Sequence, residues 1–106
     1  MRRRQRIIMK KITFHFDMIE LEEYANRVGI PLTEIMSKRR LRKTTAARYV
    51  YWLYLRDNGY KLIEIAKMFN MNPVTVFSGI ETIRDLISVN DAYLKRFLEA
   101  IEYKNL

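Results

Sequence analysis

Apolar positions recur at helical spacing through most of the chain, and each run is bounded by a residue that starts or stops a helix. Ile19, Leu21, Tyr24, Ala25 and Val28 fall on one face. Asp17 and Glu20 are spaced as a capping box in front of them, and Gly29 and Pro31 form a stop. The short run "LTEIM" follows, with Thr33 as its expected cap. "AARYVYWLYLRD" is apolar almost all round, with Thr44 and Thr45 where caps would stand and Asn58-Gly59 to close it. "KLIEIAKMF" predicts a further helix, Pro73 to about Val89 another, and Asn90-Asp91 opens a last one that runs to Tyr103. Only "KITFHF", residues 11–16, alternates polar and apolar as a strand does. A lone strand cannot satisfy its own backbone, so this segment either lies as an arm or pairs with its copy in a homodimer. The expected fold is all-α: a compact bundle of about five to six helices over residues 17–106, preceded by an extended basic arm over residues 1–16.

One joint in this pattern calls for more than packing. In "KMFNMNPVTVF" a helix stops after Phe69 and another begins at Pro73, whose missing N–H and preset φ suit a first turn, with Asn72 as the cap. Asn70-Met71-Asn72 is then a three-residue turn. Ala66 is small enough to let two helices approach, while Ile65, Phe69, Met71 and Val76 are apolar and fix their angle. That is helix-turn-helix spacing. Val76, Ile80, Ile83 and Ile87 would face inward, leaving Val74, Thr75, Ser78, Glu81 and Thr82 on the open side. Thr75 and Ser78 can donate to and accept from base edges or phosphates, and Val74 can meet a thymine methyl.

Charge reinforces this reading through its distribution. The 106 residues carry a formal +8, of which residues 1–43, with twelve Lys/Arg against five acids, hold +7. The excess sits in "RRRQR", residues 2–6, and "KRRLRK", residues 38–43, and such clusters attract polyanions, nucleic acid above all. Met9 offers an alternative start in "MKKITF", so no function is built on Arg2–Arg6. The absence of cysteine excludes disulfides and thiolate metal sites. His15, the single histidine, reads as a surface or arm residue, and neither a metal nor another cofactor is expected. No nucleophile–base pair can be assembled from one His and no Cys, so no catalytic residues are assigned. No apolar run approaches the ~20 residues of a membrane helix, and "MRRRQRII" has too short an apolar stretch for a signal peptide. The expected location is the cytoplasm, at the nucleoid.

Taken in order, "IMSKRRLRKTTAAR", a long apolar helix, "LIEIAKMF" and "VTV" make the chain similar to the C-terminal DNA-binding domain of the bacterial chromosomal replication initiator DnaA, over residues 17–104. The resemblance implies a Trp-repressor-type helical bundle, with a loop arginine in the minor groove and the second motif helix in the major groove. It implies DNA contacts from Lys38, Arg39, Arg40, Arg42 and Lys43, with Arg40 as the minor-groove arginine. Arg48 would clamp a phosphate at a helix start, Lys61 would touch the backbone, and Asn72, Val74, Thr75 and Ser78 would face the major groove. The chain departs from the family where its reading helix opens. The family's Arg-Asp-His-Thr-Thr-Val is here Asn72-Pro73-Val74-Thr75-Val76, one residue shorter and without the Arg and His. No Gly-rich phosphate-binding loop is present, so nucleotide-driven initiation is not expected of these residues.

Several features have plainer readings. The aromatic run "YVYWLY", residues 49–54, could stack on single-stranded bases, but its apolar neighbours favour core packing. Glu20, Glu22 and Glu23 read as a solvated helix face. Gly79, within the second motif helix, either permits close contact with a neighbouring helix or lets that helix approach DNA. The expected partner is double-stranded DNA, in replication or transcription control, with no membrane contact. The alternative is a protein partner held on a DnaA-like fold that has lost base reading, favoured by Val74, Phe77 and Glu81. RNA binding through the basic segments is a third.

Overall fold

The computed structural model describes residues 18–103. The basic arm with its strand-like segment 11–16, the pairing proposed for it, His15 and the cap expected at Asp17 lie outside the described residues. Within them the fold is all-α: α1 (Leu21–Val28), α2 (Leu32–Ile35), α3 (Arg42–Asp57), α4 (Leu62–Phe69), α5 (Pro73–Ser88), a single 3-10 turn (Ala92–Leu94) and α6 (Lys95–Ala100).

α3 is the axis. Eight of its sixteen residues are buried, spread around the helix rather than along a stripe, as befits an element enclosed by others. α2, α4, α5 and α6 all pack on it, α5 most extensively, and α1 lies against α2 and α6. Trp52 stacks on Tyr49 with ring centroids 5.2 Å apart and meets Phe69 of α4 edge-on at 5.7 Å. The Tyr24 hydroxyl donates to the Ala47 carbonyl at 2.7 Å, tying α1 to α3. Tyr51 is buried and Tyr49 and Tyr54 half-buried, so the aromatic run is largely core.

Gly79 has a clear reason. A Cβ there would lie 2.8 Å from Tyr49 Cδ1 and 2.9 Å from Trp52 Cζ3, well inside carbon–carbon contact. The glycine lets α5 close on the aromatic face of α3.

Helix ends differ from the sequence expectation in four places. α2 begins after Pro31, with Thr33 inside the helix rather than capping it. α3 begins at Arg42, after an extended Leu41, so neither Thr44 nor Thr45 is its cap. Thr44 is fully buried, and packing has overridden its capping preference. Glu20, rather than a residue before it, is the N-cap of α1 and makes no side-chain cap bond. The last helix is shorter than expected. Glu102 turns left-handed (φ 56°), Tyr103 N–H bonds back to the Leu98 carbonyl, and Arg27 Nη1 covers the Ala100 carbonyl at 3.0 Å. Asp91 does cap its segment, accepting from Tyr93 N–H at 2.8 Å.

The joint at residues 70–72 forms as the sequence predicts. Asn70 takes the left-handed conformation (φ 53°) that asparagine tolerates, and Met71 N–H returns to the Ala66 carbonyl at 2.9 Å. Asn72 Oδ1 accepts from Val74 N–H at 2.8 Å, and Pro73 occupies the first turn of α5. Val76, Ile80 and Ile83 are buried and Ile87 half-buried. Among the described residues, no helix is long and apolar enough to cross a membrane.

Candidate nucleic-acid interface

The basic loop is held in shape by a buried arginine. Arg48, only 3% exposed, lies in the second turn of α3. Its Nε donates to the Ile35 carbonyl at 2.8 Å, and its Nη2 donates to the carbonyls of Arg39 at 3.2 Å and Glu34 at 3.4 Å. One guanidinium therefore joins the end of α2, the loop and α3. Burial pulls its pKa down, with Tyr49 opposing and the nearby Arg40 charge adding to the fall; an arginine nonetheless stays cationic. The phosphate clamp at a helix start that resemblance implied for Arg48 is thus corrected. Its Nε and Nη2 donors are taken by protein carbonyls and the side chain is almost wholly buried, so it positions the loop.

Ser37 Oγ reinforces the loop, donating to the Glu34 carbonyl at 2.7 Å and accepting from Arg39 N–H at 3.2 Å. Arg39 Nη1 is 3.7 Å from Glu34 Oε2, a loose and half-exposed ion pair. The Arg42 guanidinium rests 3.8 Å from the centroid of the Tyr93 ring. Among the described residues no acid pairs with Lys38, Arg40 or Lys43, and all three are exposed. Arg42 and Lys43 stand at the first two positions of α3, where the helix dipole disfavours cations and where Leu41 supplies no side-chain cap. This helix start is built against its own stability, as sites that need positive charge commonly are.

Two clefts flank Arg40. The first, about 350 Å³, lies between the basic loop, the start of α3 and the turn into α5; Lys38, Arg40, Asn70, Asn72 and Thr75 are among its walls, with Tyr49 and Trp52. The second, about 410 Å³, continues along α5 past Thr82 and Leu86 to Tyr93, and Arg40, Arg42 and Tyr49 border it. Arg40, Thr45 and Tyr49 belong to both. Together the clefts follow one side of α5 from Thr75 to Leu86, three turns or ~16 Å of helix.

Of the sequence-predicted site residues, Lys38, Arg40, Arg48, Asn72 and Thr75 line the first cleft, Arg48 as a nearly buried part of its wall, and Arg40 and Arg42 line the second. Val74 and Ser78 are exposed on α5 beside them. Arg39 lies exposed in the loop and Lys43 exposed in the first turn of α3, while exposed Lys61 starts α4 and borders neither cleft. Asn72 is only partly available, because its carbonyl oxygen is the α5 cap. Tyr49, which borders both clefts, belongs to the aromatic run 49–54 that the sequence assigns to the core, and nothing in the sequence singles out Tyr93, which carries Arg42. Comparison with protein-family models, curated proteins and solved structures gives no match.

Proposed function

We propose that this protein binds double-stranded DNA with the face formed by residues 38–43 and the first turns of α5, in the manner of the DnaA C-terminal domain that its sequence resembles. Arg40 enters the minor groove, Lys38, Arg39 and Lys43 neutralise flanking phosphates, and Val74, Thr75 and Ser78 meet the adjacent major groove. The observation that carries this reading is the shared cleft of Arg40 and Thr75: cationic loop and reading helix open on one side of the molecule. Phosphate contacts would set register and affinity, and α5 would set preference.

Fluorescence anisotropy with a random-sequence duplex across a salt series tests it. With four or five phosphates neutralised, log affinity should fall against log salt with a slope of about −4. Arg40→Ala should weaken binding severalfold and reduce that slope by about one, while Thr75→Ala should relax sequence preference at unchanged slope. Both variants binding like the wild type would refute the assignment.

A second reading has its own observation. Phe77 is 51% exposed and lies some 200° around α5 from Thr75, away from the clefts. A protein partner on that apolar face would leave binding insensitive to salt and duplex alike.

A further inference from the structure

The chemistry of the α5 reading face specifies what it can distinguish, and this step rests on the DNA reading above. Val74, Thr75, Ser78 and Thr82 fall within an arc of about 100° on one side of the helix. None is charged and none carries a carboxamide. Val74 is 70% exposed, an unusual solvent position for a β-branched apolar side chain at a helix start. Thr82 Oγ1 donates to the Ser78 carbonyl at 2.9 Å, so its hydroxyl is engaged with the helix itself. Asn72, the one carboxamide nearby, has its oxygen bonded to Val74 N–H and cannot offer the paired donor and acceptor that adenine requires. No side chain in the arc can grip guanine through two bonds. The hydroxyls of Thr75 and Ser78 each donate and accept, and so discriminate bases less sharply than a paired donor and acceptor would. What the face presents distinctively is methyl groups.

We infer that α5 reads the C5-methyl groups of pyrimidines in the major groove, with Val74 as the principal contact, rather than a hydrogen-bond pattern. The C5 position of every pyrimidine projects into that groove, so 5-methylcytosine should satisfy the same contact as thymine. Glu81, at the edge of the arc, is exposed and can only accept, so it is blind to a methyl group.

The test uses one random 20-bp duplex pool, with its length set at about two helical turns. The pool is prepared with thymine, with uracil in its place, or with 5-methylcytosine in place of cytosine. Uracil removes only the methyl and leaves every hydrogen-bonding group and phosphate. The wild type should bind the uracil pool about fourfold more weakly for each methyl lost from the contact, and the 5-methylcytosine pool more tightly than the unmodified one. Val74→Ala should bind thymine and uracil pools alike, whereas Arg40→Ala should weaken both and keep their ratio. Salt-sensitive binding that does not distinguish thymine from uracil, or a distinction that survives Val74→Ala, would overturn the inference and leave the DNA reading standing. A gain with thymine but none with 5-methylcytosine would overturn the methyl mechanism in favour of base identity. Absence of binding to every pool would overturn both.

Discussion

Replacing Gly79 with alanine tests the packing that sets the cleft. Alanine normally gains about 1 kcal/mol over glycine inside a helix. Here the added methyl would sit 2.8 Å from Tyr49 Cδ1 and 2.9 Å and 3.0 Å from two Trp52 ring carbons. Carbon–carbon contacts prefer at least ~3.5 Å, so rings or helix must yield by roughly 0.7 Å. The Trp52 ring cannot swing clear, whereas half-buried Tyr49 has the clefts beside it. Trp52 is fully buried and held between Tyr49 and Phe69. Overpacking of this kind costs about 1–3 kcal/mol, and two close contacts to the confined Trp52 ring put the cost near the upper end. Net destabilisation should be about 2 kcal/mol, lowering the Tm by ~10 °C in a domain of this size. Thermal melts followed by far-UV circular dichroism would measure it, with Ser78→Ala, one residue away and exposed, as the reference. Because Tyr49 borders both clefts, duplex binding by folded Gly79→Ala should also weaken. A Tm equal to or above the wild type would refute the close approach of α5 to α3.

Arg48→Lys keeps the charge but cannot span three carbonyls; it should cost about 1.5–3 kcal/mol in urea melts and weaken duplex binding with the salt slope unchanged, whereas a phosphate clamp would tolerate it. Lys43→Glu should move stability and binding in opposite directions. An acid in the first turn of α3 should add about 1 kcal/mol, while duplex affinity falls roughly tenfold near 0.1 M salt. Alkali should destabilise the fold through its buried phenols. Burial raises the pKa of Tyr24, with Tyr51 adding and Arg96 opposing, and burial likewise raises that of Tyr51, with Tyr54, Tyr60 and Glu20 adding. The unfolded chain releases these protons near pH 10 while the folded one retains them, so stability is full below that pH and falls above it. Urea midpoints should drop on going from about pH 9 to about pH 11, less steeply in Tyr51→Phe.

Local chemistry was legible in the sequence, and long-range commitments were not. The start of α5 could be read because Asn72 and Pro73 act within a few residues of themselves, and the left-handed Asn70 sits where the turn demands it. The start of α3 could not, since Thr44 is drawn into the core and its capping preference loses to burial. Arg48 illustrates the limit more fully. Its type and place suggested an anion contact, but its acceptors are backbone carbonyls nine to fourteen residues away, which only the folded chain brings together. Gly79 had two readings, and the rings of Tyr49 and Trp52 decide between them. The cation load on residues 38–43 was plain from the sequence; that Arg42 would be drawn onto Tyr93 was not, because the ring comes from the turn after α5, some fifty residues on.

The most direct test is an NMR titration of the isotopically labelled protein with a short duplex at low salt. Amide and arginine side-chain signals of residues 38–43 and 72–78 should shift together, saturating at one stoichiometry, while those around Arg27 and Glu102 stay in place. Shifts confined to one of the two segments, or centred on the α1–α6 side, would contradict the shared binding face.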